Sequence, residues 1–473
     1  MFSSRWTATV LLLGAALSGW LRASPSNPIA EDRLARQLQA AEGHYNSGQY
    51  QIAARELASI AQRVPANFEV EELLGLVYSA ETRNQQARPH FERAVHLRPS
   101  FAPARLNLAV CLANLGENTL AEMEFKKAIQ AEPGNFDANH DLGELFARGG
   151  KVKAAIPYLE KAQRVNPSSY GNGYDLALAY THAGMLPEAQ LQIQALLSKK
   201  NTAALHELLA EVEEKSGSCL AAVNEYQQAA HMDPSESNIY YWGSELLLHQ
   251  TWNPAIQVFS EGLKRYPNSL RLAVGLGLAL YWRESYDDAV KVLVRATELA
   301  PSDPRPYYFL NETYEHSPSQ AAEVIEQFRR FARLRPQDGR AVYYYAMSLW
   351  KGKQAAASAP NLDRVESLLK RATHLDPSFA KAYFELGNLF SQRGQYRQAA
   401  LEYQRALKLD GKLVAAYYRV GQAYVHLGEM GLARKEFQIH KKLYQQHLAK
   451  WDKEDEEIRK FVYTTRAQGS VAR

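Results

Sequence analysis

The chain has 473 residues, of which 46% are hydrophobic and 22% are charged, and its formal net charge is only +4. These values are ordinary for a soluble, folded protein. So small a net charge excludes a dedicated nucleic-acid binder, in which basic residues would dominate.

The first 23 residues differ in composition from the rest of the chain. Thr7 to Leu21 is uncharged and mostly apolar, with Arg5 before it and small residues after it, as in a secretory signal peptide. The apolar stretch is short for a transmembrane helix, which needs about 20 residues, but an uncleaved N-terminal anchor remains the alternative. We therefore expect an exported protein, periplasmic or extracellular, or a membrane-anchored protein that faces outward.

A proline recurs about every 34 residues along most of the chain. The first four members are each 34 residues apart, and the series is Pro65, Pro99, Pro133, Pro167, Pro234, Pro267, Pro301, Pro336 and Pro377. A period of this length predicts two short helices per unit, with the units stacked side by side in a solenoid.

Small and large residues recur at fixed positions before each of these prolines. Twelve, eight and five residues before Pro99 lie Ala87, Phe91 and Ala94, and these offsets place all three on one helical face. Most units also have a turn glycine seventeen residues before their proline, such as Gly116 before Pro133. A glycine or alanine lies twenty-four residues before the proline, such as Gly143 before Pro167. A larger side chain at this position would hold the paired helices apart.

This pattern resembles the tetratricopeptide repeat, and about twelve copies cover residues 34–447. The resemblance implies an all-α fold, an α-solenoid of helix-turn-helix repeats that forms a superhelix. Repeats 1–6 are expected in residues 34–235 and repeats 7–12 in 236–447. Residues 448–463 are predicted to be a capping helix, with a partner-binding helix as the alternative, and residues 464–473 a disordered tail.

Motifs of catalytic sites are missing from the sequence. His206-Glu207 begins like a zinc-protease helix, but Ala210 stands where the second histidine is required. The signal segment, the repeats and the end helix use up the chain, so no stretch of about 100 residues is left for a catalytic domain. We therefore predict that the protein is not an enzyme and has neither a cofactor nor a metal site.

In solenoids of this family the first helices line the concave groove. Four positions of each first helix should face it, six and three residues before the small packing residue and one and four after it. In repeats 7–12 these positions are rich in basic and aromatic residues, and the predicted partner-binding residues are Tyr240, Arg271, Tyr281, Arg305, Tyr308, Arg340, Tyr343, Trp350, Lys381, Phe384 and Tyr418. In repeats 2, 4 and 6 the same positions are acidic, in Glu69, Glu72, Asp137, Glu144, Glu207, Glu211 and Glu214.

Residues 236–426 are therefore predicted to be the main binding surface, for an extended peptide or glycan-like ligand with acidic groups. An alternative remains open, in which the aromatic side chains pack between first helices and the basic ones are merely solvated. The favoured function is a non-enzymatic exported scaffold or adaptor that binds partner proteins. The second is a non-catalytic accessory subunit of a glycan- or protein-modification system. Nucleic acid is not expected as a partner, and the sequence indicates no oligomeric state.

Overall fold

The structure is a computed structural model that describes residues 28–317, 320–352 and 361–446. Within these residues the protein is entirely helical and contains no β-strand. The chain divides into two compact units between Ser216 and Gly217. The division predicted from the sequence, after residue 235, lies one helix further along the chain.

The first unit contains eleven helices among its described residues. They are α1 (Pro28–Asn46), α2 (Tyr50–Arg63), α3 (Phe68–Ala80), α4 (Asn84–Leu97), α5 (Ala102–Asn114), α6 (Asn118–Ala131), α7 (Phe136–Arg148), α8 (Val152–Val165), α9 (Tyr170–Ala183), α10 (Leu186–Leu197) and α11 (Ala203–Lys215). Odd-numbered helices are the first members of hairpins, and each packs on the following even-numbered helix from α1–α2 to α9–α10.

The second unit continues the same pattern. Its described helices are α12 (Cys219–Met232), α13 (Glu236–Leu248), α14 (Trp252–Arg265), α15 (Leu270–Trp282), α16 (Tyr286–Leu299), α17 (Pro304–Tyr314), α18 (Ala321–Leu334), α19 (Gly339–Gly352), α20 (Leu362–Leu375), α21 (Ala380–Gln392), α22 (Tyr396–Leu409), α23 (Val414–His426) and α24 (430–446). The twenty-four described helices correspond to about twelve repeats, so the predicted all-α solenoid is confirmed.

The small residues of the first helices allow the hairpins to close. A Cβ atom added to Gly75 would lie 2.5 Å from Phe91, and one added to Gly243 would lie 2.6 Å from Phe259. Phe259 also fills the space beside Gly275, where an added Cβ would again lie 2.6 Å away. Each buried ring therefore occupies the volume that a glycine leaves open, as close packing requires.

First helices also lie against one another within each unit. Contacts join α1, α3, α5, α7, α9 and α11 in the first unit, and α13, α15, α17 and α19 as well as α21 and α23 in the second. Second helices make fewer contacts with one another, and α16 and α18 are the pair of second helices in closest contact. Because the more closely spaced helices lie on the inner side of a curved stack, the odd-numbered helices form the inner wall of each unit.

Several predictions fall outside the described residues. These are the signal peptide or anchor at residues 1–23, the capping helix at 448–463 and the tail at 464–473. Among the helices that the structure describes, none combines the length and apolarity needed to cross a membrane.

Candidate binding groove

The inner wall of the second unit contains an open cavity of about 850 Å³. Helices α19, α21 and α23 contribute Trp350, Glu385 and Arg419 to it, Glu315 lies directly after α17, and Tyr403 of α22 also lines it. Contact between α19 and α21 is sparse, whereas α17 and α19 pack more closely. The cavity therefore lies where the row of first helices is least tightly joined.

Two predicted aromatic residues line this cavity. Trp350 is mostly buried, and its Nε1 donates a hydrogen bond to Gln392 Oε1 at 3.1 Å. Phe384 is half-buried, with its ring 5.7 Å from that of Tyr403. Both side chains are held by neighbours and present preformed apolar surface.

Tyr343 was predicted to contact the partner, but the structure places it in the core. Its exposed fraction is 0%, and its ring meets Phe379 edge-on at 5.0 Å. The buried hydroxyl has no hydrogen-bond partner among the described residues, and burial raises its pKa well above the usual value. Phe379, in the turn before α21, packs on this position, so the ring belongs to the interface between repeats.

The predicted basic residues are largely compensated by carboxylates. Arg271 Nε lies 3.4 Å from Glu236 Oε1, with its guanidinium over the Tyr240 ring, and Arg305 Nε donates to both carboxylate oxygens of Asp303 at 3.0 Å. Arg340 instead lies over the Phe379 ring at 5.6 Å. Two of the four predicted basic residues, Arg271 and Arg305, are therefore each paired with a carboxylate.

Lys381 is also paired, and its partner lies two repeats away. Its Nζ is 2.6 Å from Glu312 Oε1, so the ion pair joins α21 to α17. Burial alone would lower the pKa of Lys381, but this ion pair outweighs burial and raises it. Lys351 makes a similar contact of 2.7 Å with Glu315.

The remaining predicted residues lie in separate aromatic groups. Tyr281 is half-buried between Trp282 and His316, at ring distances of 5.4 and 5.7 Å. Tyr418 is 43% exposed and packs on Phe437 of α24 at 5.6 Å. Tyr308 is 49% exposed. Of the predicted partner-binding residues, the structure therefore places Trp350 and Phe384 in the cavity lining and leaves the others, Lys381 and Tyr418 among them, outside it.

The acidic side chains of this region were not among the predicted partner-binding residues. Arg305 and Tyr308 stand at the first two groove positions of their repeat, and Glu312 and Glu315 stand at the other two, so the signal for them was present. Glu385 is buried and accepts a hydrogen bond from Asn388 Nδ2 at 3.0 Å, and burial raises its pKa. The wall is thus of mixed charge rather than basic.

On the first unit, two of the predicted acidic groove residues are buried. Glu72 is 3% exposed and accepts a hydrogen bond from Asn107 Nδ2 at 2.6 Å, while Glu144 is 5% exposed and pairs with Arg148 at 2.5 Å. Burial raises the pKa of Glu72 to about 7. It also raises the pKa of Asp175, on the first helix α9, to about 7. This wall therefore holds carboxyl groups in a poorly solvated environment.

Comparisons with known proteins agree with this architecture. Residues 387–428 match a model described as TPR repeat, and residues 72–136, 124–170 and 253–304 match one described as tetratricopeptide repeat. A search of curated protein sequences found no match.

Solved structures similar to the chain include YrrB, described as a TPR protein with an unusual peptide-binding site, at 19% identity over 39% of this chain and 96% of that chain, with a TM-score of 0.37. The complex of Naa15/Naa10 bound to HypK-THB matches at 16% identity, over 90% of this chain and 78% of that chain, with a TM-score of 0.39. Yeast Tom70 matches at 13% identity, over 86% and 99%, with a TM-score of 0.35.

Proposed function

The chain is a tetratricopeptide repeat protein, and we propose that it is a non-enzymatic scaffold or adaptor that binds an extended peptide along the inner wall of its second unit. Its fold suggests a role in protein–protein contacts, and this family is generally non-catalytic. The single observation that carries the peptide proposal is the cavity of about 850 Å³, because it combines an aromatic wall with polar groups that are free to bind.

The aromatic side chains would supply the apolar part of the contact area. Trp350 and Phe384 are already held by Gln392 and Tyr403, so little side-chain freedom is lost when a ligand packs on them. Rigid aromatic side chains of this kind supply contact area at low entropic cost.

Arg419 would select an acidic group on the peptide. It is exposed in the cavity wall, and its Nη1 donates to Gln422 at a long 3.4 Å. Among the described residues no carboxylate lies within ion-pairing distance of it, in contrast to Lys351. A guanidinium presents forked donors that match a carboxylate, so the acid-binding role predicted for Arg305 is better suited to Arg419.

Tyr314 offers a further polar contact at the same place. It is 3% exposed and lines the cavity, and its hydroxyl has no hydrogen-bond partner among the described residues. A buried hydroxyl without a partner costs free energy, which a peptide carbonyl or amide could recover.

We also propose that the scaffold acts beyond the cytoplasmic membrane. The support is the uncharged stretch Thr7–Leu21 with its basic residue before it. Fusing residues 1–30 to an alkaline phosphatase that lacks its own signal should give active enzyme outside the cytoplasm. Because the disulfides of this enzyme form only outside the cytoplasm, a fusion protein that is made but inactive would refute this part of the proposal.

The peptide proposal is tested by panning a random peptide library against the full chain. Selected peptides should contain an acidic residue, and Arg419→Glu should weaken their binding at least tenfold in a fluorescence anisotropy titration. Arg397→Glu is the matched control, because Arg397 is exposed on the second helix α22 and does not line the cavity. Failure to select any peptide, or equal binding by both variants, would refute the proposed site.

A further inference from the structure

Three side chains of the types that can bind a metal ion lie together on α7 of the first unit. One ligand atom from each of His140, Asp141 and Glu144 lies within 4.8 Å of those of the other two. His140 and Glu144 are one helical turn apart, so their side chains share a face, and Asp141 borders it. Imidazole nitrogen and carboxylate oxygen are donors that divalent transition-metal ions accept in proteins.

A neighbouring helix supplies an independent carboxylate. Asp175 of α9 is 5% exposed, and it accepts no hydrogen bond from any residue that the structure describes. Its Oδ2 lies 3.9 Å from His140 Nε2, which is beyond hydrogen-bonding distance. The Asp175 carboxylate thus faces the imidazole without a hydrogen bond to it, and the separation of 3.9 Å leaves room for a cation that both atoms could ligate.

Asn172 orients the imidazole for this purpose. Its amide nitrogen donates to Leu159 O at 3.0 Å and to Gln163 Oε1 at 2.8 Å, which leaves its Oδ1 as an acceptor. His140 Nδ1 lies 3.2 Å from that oxygen and therefore donates to it. The lone pair of Nε2 is then directed toward Asp175. Metal-binding histidines are held in this way, with the second ring nitrogen donating to a carbonyl or carboxylate oxygen.

The carboxylates of Asp141, Glu144 and Asp175 have little compensating positive charge. Apart from the imidazole of His140, Arg148 is the only described cation that forms an ion pair with one of them. Its Nη2 lies 2.5 Å from Glu144 Oε1 and leaves the other oxygen of Glu144 available. The three carboxylates are buried or half-buried, and a single guanidinium balances their negative charge.

We propose that His140, Asp141, Glu144 and Asp175 bind one divalent transition-metal ion, Zn²⁺ or Mn²⁺, between α7 and α9. The ion would connect two successive hairpins of the first unit and stabilise their packing, because the ligands come from both. This site is separate from the peptide cavity, and it revises the sequence-based expectation that the chain has no metal site.

The test uses the untagged full chain after treatment with a chelator. Isothermal titration with ZnCl₂ and, separately, MnCl₂ should show one ion bound per chain, and the ion should raise the melting temperature. His140→Gln and Asp175→Asn should each lower the affinity at least tenfold and remove the thermal shift. His182→Gln is the control, because His182 is an exposed histidine of α9 and should not change binding.

Two results would overturn the proposal. One is the absence of binding at concentrations up to about a hundred micromolar, far above the range of a built transition-metal site. The other is binding that both variants retain, which would place the ion elsewhere on the chain. Asp175→Asn keeps the shape of the side chain, so it decides the question if His140→Gln loses helical content by circular dichroism.

Discussion

The burial of Glu72 predicts an unusual dependence of stability on pH. Its carboxyl accepts one hydrogen bond, from Asn107, and its second oxygen is buried without a partner among the described residues. A single neutral hydrogen bond does not offset the loss of solvent around a charge, so burial raises the pKa from the ordinary 4.5 to about 7.

The sign and size of the effect follow from proton linkage. Between pH 4.5 and about 7 the folded protein holds a proton on Glu72 that the unfolded chain releases. The free energy of unfolding therefore falls as pH rises through this window and levels off above it. The difference between 4.5 and about 7 corresponds to about 3 kcal/mol.

Replacing Glu72 with Gln keeps an acceptor for Asn107 and removes the charge. Urea unfolding followed by circular dichroism should show both proteins equally stable near pH 4. At pH 8 the variant should be more stable by about 3 kcal/mol, since it never has a buried charge. Glu69→Gln is the control on the same helix, and it should not stabilise the protein at pH 8, because Glu69 pairs with Arg98 at 2.6 Å. A Glu72→Gln difference that stays constant across pH would refute the reasoning.

Three further variants test the packing of the repeats, all by urea or thermal unfolding. Gly75→Ala should lower the free energy of unfolding by about 1–3 kcal/mol, because the new Cβ would lie 2.5 Å from Phe91. Adding Phe91→Leu to the same chain should restore part of the lost stability. An unchanged stability of Gly75→Ala would contradict the tight contact. Gly184→Ala should cost about 1 kcal/mol through strain alone, since φ is 77° and no atom lies within 4 Å of the added Cβ; a neutral result would mean that the turn relaxes. Tyr343→Phe should leave stability unchanged or raise it by up to about 1 kcal/mol, because the hydroxyl is buried without a partner, and a clear loss would reveal a partner that the structure lacks.

The helix pairs could be predicted from the sequence because their determinants are local. The spacing of Ala87, Phe91 and Ala94 marks one face of the single helix α4. Gly116 marks the turn between α5 and α6, where its backbone is left-handed with a φ of 79°. Steric demands of this kind depend on residues within one repeat, so they can be recognised without knowledge of the neighbours.

The exposure of the groove residues could not be predicted in the same way. An offset along α19 places Tyr343 and Trp350 on one side of the helix, but residues of the next repeat cover Tyr343 and leave Trp350 at the cavity. Burial at these positions depends on the shape of the neighbouring repeat, which the periodic pattern does not contain.

The sequence by itself determined the class of the protein, an all-α stack of about twelve helix pairs, because small and bulky residues recur at fixed helical spacing. Only the tertiary structure decided which charges are free. Lys381 meets Glu312 across 69 positions of the chain, and Asp175 meets His140 from another helix. Coulomb attraction and desolvation depend on distances in space, and these become defined only when successive repeats pack together.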